Sequence, residues 1–352
     1  MNLWDINTGS WSEPLLQLTA GSSGASNLKQ KLGEVQADSR RSLGTISKYF
    51  VGRYGFSIDC QITAFTGDNP ATILATPLKP LDAVISLGTS TTFLMITPKY
   101  VPDPSYHIFN HPTTAGMYVF MLCYKNGGLA REKVCDDLPK TSGDNRWESF
   151  DKIVSSSPPL GQSAATDAAK LGLYFLLPEI VPNVRAGIWR FNYLCGRLQE
   201  SSTGWKLPED DTRAIVESQI LSIRIRSQNQ MSSPSVNVPP QPRRIYLVGG
   251  GSISPSISRL VGDILGGSEG IYKLSVGGNA CALGAAYKAV WALESKLGES
   301  FEELLSSRWH ENVAVSKINE GYQPELWECY KNILPVFEEM EKKVLAGEDR
   351  VK

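Results

Sequence analysis

The chain has 352 residues, of which 41% are hydrophobic and 20% charged, and its formal net charge is −1. This length is enough to bury a large core and could hold two domains. The near-neutral charge gives no electrostatic case for binding nucleic acid or an anionic membrane. No apolar run is long enough to span a bilayer, and the first residues lack the plan of a signal peptide.

The six cysteines stand singly along the chain. There is no Cys-x-x-Cys pair and no Cys/His cluster, so the pattern predicts no metal site. Isolated cysteines in mostly apolar surroundings are typical of buried thiols in a reducing compartment, which favours a cytoplasmic location.

The first segment with candidate chemistry follows a predicted strand. Residues 56–65 alternate apolar and polar side chains, as a strand does. Asp68 and Asn69 come next, and we expect them to cap a helical turn over residues 71–75, with Pro70 keeping Asn69 extended. The Asp68 carboxylate could act as a general base while Asn69 orients a substrate. On this motif alone, a structural N-cap is the commoner role.

Strands over residues 83–87 and 92–97 are predicted to form a β-hairpin around the turn Gly88-Thr89-Ser90. Successive N–H groups and hydroxyls in such a turn could hold a phosphate group. A plain hairpin turn is the alternative, and taken alone it is the more frequent one.

The middle of the chain carries weaker signals. Trp147 lies in a polar, helix-like segment and could stack on a purine, although an isolated Trp is more often a core anchor. Residues 167–174 are predicted to form a short helix, and residues 213–226 form a second one with apolar residues at helical spacing. Residues 228–242 are rich in Ser, Pro, Gln and Asn, which predicts an exposed, flexible insertion.

A strand over residues 245–248 leads into three glycines, Gly249–Gly251, and a helix predicted to begin near Ser254 and Pro255. A strand, glycines and a helix N-terminus together let a nucleotide approach the backbone closely. The segment matches neither G-x-x-x-x-G-K-[ST] nor G-x-G-x-x-G. A structural strand–helix junction is therefore an equally good interpretation.

The last part of the chain is predicted to be helical. After the turn Gly277-Gly278, residues 280–292 are dense in small side chains, which predicts a backbone packed closely against another element. Residues 301–345 have the pattern of an amphipathic helix with a charged tail.

Taken together and in this order, several segments resemble the C-terminal half of a sugar kinase of the FGGY carbohydrate kinase family, and among its members the fungal D-xylulose kinases. The segments that carry the resemblance are FTGDNPATI (65–73), ISLGTSTTF (85–93), YHIFNHP (106–112), MLCYKNGGLAREKV (121–134), YFLLPEIVP (174–182), IVESQILSIRIR (215–226), YLVGGGS (246–252) and NACALGAAYKAVW (279–291).

The resemblance implies an α/β fold of the ribonuclease-H-like type found in actin, Hsp70 and sugar kinases, with ATP and sugar between two lobes. Residues 1–80 are then the end of the N-terminal, sugar-binding lobe. Residues 81–295 are the C-terminal, nucleotide-binding lobe, with the insertion near residues 228–242, and residues 296–352 are a helical extension.

The resemblance also implies a role for each candidate residue. Asp68 is the catalytic base, and Asp68 and Asn69 contact the sugar. The residues expected to bind ATP are Gly88, Thr89, Ser90, Trp147, Gly250, Gly251 and Ser254. Family members usually have Asn in place of Ser254, and a serine lacks the paired donor and acceptor of that amide.

The implied reaction is Mg²⁺-dependent transfer of a phosphoryl group from ATP to the C5 hydroxyl of D-xylulose, a step of pentose catabolism. The Asp-x-Gly-Thr phosphate loop with which family members open is not in this sequence, which predicts either a truncated gene model or a genuine remnant. Two alternatives stay open: a non-catalytic nucleotide-binding module, and an FGGY kinase for another ketose or polyol. An uncovered surface between lobes would make the isolated chain poorly soluble.

Overall fold

The computed structural model describes residues 3–35, 40–139, 145–275 and 279–349, so the predicted turn Gly277-Gly278 lies outside the described residues. The chain separates into two compact units. The first unit comprises Met1–Pro77, Phe109–Tyr118 and Val276–Trp309. The second comprises Leu78–Ile108, Val119–Ser275 and His310–Lys352.

The first unit is built from short elements. Its strands are Trp4–Asp5, Ser10–Trp11, Ser42–Thr45 and Gln61–Thr63, and its helices are Glu13–Ala20, Ala25–Leu32, Lys48–Tyr54, Asp68–Ile73, Ala280–Glu294 and Phe301–Ser306. The strands pair in two antiparallel ribbons, each formed by strands close in sequence. The predicted strand over residues 56–65 is only partly right, because Cys60 N–H donates to Ser57 O at 3.1 Å and closes a turn before the strand begins.

The helix that carries Asp68 begins earlier than predicted. It spans Asp68–Ile73 and is preceded by Gly67, so Asp68 and Asn69 are its first two residues and not its caps. Asn69 is accordingly helical and not extended. Pro70 is tolerated because the first N–H groups of a helix have no partner within the helix, so a missing N–H costs nothing there.

The small residues of helix Ala280–Glu294 allow it to pack against helix Asp68–Ile73, which confirms the predicted close approach. A β-carbon at Gly284 would overlap the carbonyl oxygen of Ala71 and lie 2.9 Å from Ala75 N. Nearby, a small buried cluster contains Leu74, Trp291, Phe301, Leu304 and Leu305. The backbone contact at Gly284 therefore leaves no room for a side chain.

Helix Lys48–Tyr54 has no buried residue, although it is rich in aromatic side chains. Tyr49 and Phe50 are exposed, with their ring centroids 5.3 Å apart, and Phe50 and Tyr54 stack at 6.0 Å. Exposed apolar patches of this kind lower solubility or serve as contact surfaces. The expected poor solubility of the chain stays a prediction.

The second unit is organised around a seven-stranded sheet. In spatial order its strands are Val315–Asn319, Gly270–Leu274, Arg244–Val248, Ala83–Leu87, Thr91–Thr97, Tyr118–Tyr124 and His107–Asn110. Arg244–Val248 pairs in parallel with Gly270–Leu274 and with Ala83–Leu87. Ala83–Leu87 and Thr91–Thr97 pair antiparallel, which confirms the predicted hairpin.

A three-stranded antiparallel sheet in the same unit corrects one prediction. Residues 167–174 do not form a helix, because Ala169–Phe175 is a strand that pairs with Gly187–Leu194. Its partner lies later in the chain, and a local pattern cannot report such non-local pairing. The third strand is Arg197–Glu200.

The helices of the second unit are Gly128–Asp137, Arg146–Ser156, Glu209–Ser227, Pro255–Leu265, Glu311–Ala314 and Pro324–Asp349. Helix Glu209–Ser227 contains the predicted helix over residues 213–226 and is buried along most of its length. The prediction of one helical region over residues 301–345 is partly wrong, since Val315–Asn319 is a strand bonded to Gly270–Leu274. No helix in the described ranges is both long and apolar enough to cross a bilayer.

The segment predicted as an exposed insertion is exposed only in its middle. Residues 233–237 are exposed, whereas Gln230, Met231 and Gln241 at the two ends are buried. Gln230 donates to Val101 O at 2.7 Å, and Gln241 accepts a hydrogen bond from Gly267 N at 3.0 Å. The segment is thus attached to the second unit at both ends.

We expect Gly284→Ala to lower the stability of the first unit by about 1–3 kcal/mol, because the added β-carbon overlaps a backbone carbonyl that cannot move freely. Gly347→Ala is the matched control, since no atom lies within 4 Å of a β-carbon at that helical position. Urea unfolding followed by circular dichroism checks both variants. Equal midpoints for the two variants would contradict the close packing.

Candidate active site

The second unit contains a cleft with a volume of about 750 Å³, which is in the range of small-molecule sites. Four segments form its walls: the turn after strand Ala83–Leu87, the starts of helices Gly128–Asp137 and Arg146–Ser156, and the turn before helix Pro255–Leu265. Three of these segments are places where a strand or loop meets a helix N-terminus. The positive ends of these helix dipoles favour anions in the cleft.

The structure brings together most of the residues predicted to bind ATP. The predicted residues that line the cleft are Gly88, Thr89, Trp147, Gly250, Gly251 and Ser254. Ser90 is exposed in the same hairpin turn but is not among the described residues that line the cleft. Asp68 and Asn69 belong to the first unit. The assignment of ligands to these residues stays a prediction.

A second glycine pair, Gly127-Gly128, supports the hairpin turn. Gly128 N donates to Gly88 O at 2.8 Å, and Leu129 N donates to Thr89 O at 3.1 Å. A β-carbon at Gly128 would overlap Gly88 O, so only glycine allows this contact. The signal was present in the sequence, because a strand, two glycines and a helix is also the pattern recognised at Gly249–Gly251.

The turn Gly249–Gly251 packs onto the end of strand Ala83–Leu87. Gly249 has a φ of +85°, and a β-carbon there would lie 3.0 Å from the Leu87 carbonyl carbon. A β-carbon at Gly251 would lie 2.9 Å from Leu87 Cβ. A β-carbon at Gly250 would meet no atom within 4 Å, so Gly250 faces open space in the cleft.

The Ser254 side chain is fully engaged with protein groups. Its Oγ accepts a hydrogen bond from Ile257 N at 3.2 Å, which caps helix Pro255–Leu265, and donates to Asp151 Oδ1 at 2.5 Å. Ser256 Oγ also donates to Asp151 Oδ1. Asp151 itself lines the cleft. Asp151 was missed because nothing in its local sequence distinguishes it from a solvated helix residue.

Trp147 packs against the core and also lines the cleft, while its stacking on a purine stays a prediction. Its ring is partly buried against the core and makes an edge contact with Phe150, with the centroids 5.5 Å apart. The same residue lines the cleft. The Asn145 side chain accepts a hydrogen bond from Trp147 N at 3.2 Å and so fixes the start of this helix.

The charged groups that line the cleft differ in whether they form an ion pair with a group of opposite charge. Glu132 forms an ion pair with Arg146 at 2.6 Å, and both side chains are largely exposed. Arg131 is buried, and its burial lowers the pKa of its guanidinium group to about 10. In the parts of the chain that the structure describes, no group of three or more His, Cys, Asp or Glu residues could hold a metal ion.

In the first unit, Asp68 presents an exposed carboxylate at the start of helix Asp68–Ile73. Its Oδ1 accepts hydrogen bonds from Asn69 N at 2.8 Å and from Asn69 Nδ2 at 3.3 Å. Its Oδ2 accepts none from the described residues. This oxygen is available to accept a proton or a hydrogen bond from a hydroxyl group.

Comparison with known proteins identifies the family. The model of the FGGY family of carbohydrate kinases, C-terminal domain, matches residues 83–293. The chain is 58% identical over 355 residues to D-xylulose kinase A of Aspergillus niger, covering 99% of this chain and 62% of that protein. It is also 58% identical over 354 residues to probable D-xylulose kinase A of Arthroderma otae, covering 98% and 62%. The chain thus spans 62% of the length of these relatives.

Solved structures of low sequence identity share the fold. Xylulose kinase from Rhodospirillum rubrum matches with a TM-score of 0.70 at 16% identity, over 98% of this chain and 62% of that one. Plasmodium falciparum glycerol kinase with ADP matches with a TM-score of 0.61 at 15% identity, over 97% and 61%. These matches confirm the predicted α/β, ribonuclease-H-like fold of sugar kinases. With the family model matching more than half of its residues, the chain belongs to the FGGY family of carbohydrate kinases.

Proposed function

We propose that this chain is part of a cytoplasmic sugar kinase that transfers the γ-phosphoryl group of ATP to the C5 hydroxyl of D-xylulose. The observation that carries the proposal is the single cleft around which the hairpin turn, two glycine turns and Trp147 meet. The choice of sugar is supported by the relatives named D-xylulose kinase A, at 58% identity. In this proposal residues 81–295 act as the nucleotide-binding lobe, residues 1–80 carry the end of the sugar-binding lobe, and residues 296–352 form an extension.

The cleft suits a nucleotide in four ways. The N–H groups and hydroxyls of Gly88, Thr89 and Ser90 would hold phosphate oxygens, and the open space at Gly250 lets the ligand approach the backbone. Trp147 would lie beside the base. Asp151, held in place by Ser254, would accept a hydrogen bond from the nucleoside in place of the amide that family members usually carry.

Asp68 would act as the general base. Its free Oδ2 would accept the proton of the C5 hydroxyl group. The C5 oxygen would then form a bond to the γ-phosphorus of ATP, while the bond from that phosphorus to the ADP oxygen breaks. Asn69 would orient the sugar by hydrogen bonds. Mg²⁺ would accompany ATP, held mainly by phosphate oxygens and water, and would neutralise phosphate charge.

Nucleotide binding without turnover is the second candidate function. It is favoured by one observation: every residue that lines the cleft belongs to the second unit. A kinase acting on another ketose or polyol is distinguished from the leading proposal only by the sugar that is consumed.

We expect Asp68→Asn to lower ADP release from ATP and D-xylulose by about 100-fold or more, the usual contribution of a general base. Calorimetry should show ADP binding unchanged, because Asp68 does not line the cleft. Asp59→Asn is the matched control, since Asp59 is an exposed turn residue of the same unit.

The outcomes of this assay separate the candidates. Equal turnover by the wild-type chain and Asp68→Asn would refute Asp68 as the base. ADP binding without turnover in the wild-type chain would favour the nucleotide-binding module. Faster turnover of ribulose or glycerol than of D-xylulose would show that the enzyme acts on another ketose or polyol.

We expect Gly250→Val to weaken ADP binding by at least about tenfold, since the side chain enters open space in the cleft and displaces ligand. The unfolding midpoint should be unchanged, because the added β-carbon meets no protein atom within 4 Å. Gly249→Val provides the contrast: with a φ of +85° and the Leu87 backbone close by, it should lower stability. Unaltered ADP affinity in Gly250→Val would argue against a nucleotide in this cleft.

A further inference from the structure

Arg131 is an almost fully buried, positively charged residue in the wall of the cleft. It is 3% exposed, lies near the start of helix Gly128–Asp137 and lines the cleft. Its Nη1 donates to Gln219 Oε1 at 2.5 Å, and Nε and Nη2 donate to no described residue. Burial is what shifts its pKa, and no carboxylate among the described residues forms an ion pair with it.

Other buried arginines of the second unit are compensated. Arg213 pairs with Glu217 at 2.6 Å, and Arg226 pairs with Glu341 at 2.9 Å. Arg224 has no carboxylate partner, but it donates to Ile264 O at 2.9 Å and lies 3.6 Å from the centroid of the Trp327 ring. A buried charge without compensation is costly, so the position of Arg131 calls for an anion that the protein does not supply.

The guanidinium group lies between two glycine turns of the cleft. Nη2 is 3.3 Å from the place of a β-carbon at Gly251 and 3.6 Å from that of a β-carbon at Gly128. Because neither residue has a side chain, nothing at these positions covers Nη2. The positive end of helix Gly128–Asp137 adds to the local positive potential and makes the region still more favourable for an anion.

Gln219 holds Arg131 without neutralising it. Its Nε2 donates to Asn126 O at 2.8 Å and to Gly127 O at 3.0 Å, so its Oε1 is directed at Arg131. The amide therefore fixes both the turn before the helix and the position of the guanidinium group. The result is a positioned cation with a neutral partner.

We propose that Arg131 binds the phosphate chain of the nucleotide, and that the phosphate groups supply the negative charge that no carboxylate of the described residues provides. This inference rests on the proposed function, because it takes the ligand of the cleft to be a nucleotide. Charge-assisted bonds from a guanidinium group to phosphate are among the stronger hydrogen bonds in proteins.

Calorimetric titration with ADP and with adenosine tests the proposal. Arg131→Gln should weaken ADP binding by at least about tenfold and leave adenosine binding within about twofold, because only ADP carries phosphate. Arg131→Lys should fall between the wild-type chain and Arg131→Gln. Arg224→Gln is the matched control, a buried arginine that is not among the residues lining the cleft, and it should leave both affinities unchanged.

A second variant keeps the proposal testable if Arg131→Gln does not fold. Gln219→Glu places a carboxylate beside Arg131 but removes the two hydrogen bonds from Nε2 to Asn126 O and Gly127 O, and the new ion pair should weaken ADP binding more than adenosine binding. Unfolding midpoints of every variant are measured alongside.

Three results would overturn the inference. The first is an unchanged ADP affinity in Arg131→Gln or Gln219→Glu. The second is an equal loss of affinity for ADP and for adenosine in Arg131→Gln. The third is a loss of ADP affinity in Arg224→Gln as large as that in Arg131→Gln. When the wild-type chain binds ADP, these results leave the proposed function intact. Failure of the wild-type chain to bind either ligand would instead refute the nucleotide cleft, and the role of Arg131 with it.

Discussion

The cleft depends on a pair of backbone hydrogen bonds, from the N–H groups of Gly128 and Leu129 to the carbonyls of Gly88 and Thr89. These bonds satisfy the first donors of helix Gly128–Asp137, which has no side-chain cap, and they hold the hairpin turn against it. Because the helix begins at that point, Arg131 comes to lie beneath the cleft. These two hydrogen bonds thus fix the positions of the hairpin turn, the helix and Arg131.

The charged groups of the cleft are distributed unevenly between its two parts. In the part of the cleft formed by the glycine turns, the guanidinium group of Arg131 forms no ion pair with a carboxylate among the described residues. Beside Ser254, the corresponding group is the Asp151 carboxylate, which is held by two serine hydroxyls. A ligand with phosphate at one part and hydrogen-bond donors at another matches this distribution. ATP has that distribution of charge, which is why a nucleotide is the best-supported occupant.

The predictions from sequence succeeded where the cause of structure is local. Glycines mark the hairpin turn and the turn Gly249–Gly251, and the family resemblance that these motifs suggested is confirmed. Predictions failed where the cause is distant: strand Ala169–Phe175 exists because a later strand pairs with it. Arg131 and Asp151 were not singled out for the same reason, since their neighbours Gln219 and Ser254 are far away in sequence.

The hydrogen bonds between the hairpin turn and helix Gly128–Asp137 have a consequence for how this cleft can evolve. The part of the cleft proposed to bind phosphate is formed by glycine turns together with the Arg131 side chain, and glycine is required at Gly128, where a carbonyl oxygen touches it. A side chain added at Gly128 would overlap Gly88 O, so a point mutation there would damage the architecture. The part beside Ser254 is made of side chains, which single substitutions can exchange. If the cleft binds a nucleotide, contacts near Ser254 can therefore be exchanged by single substitutions, whereas the contact between Gly128 and Gly88 O can change only together with the backbone.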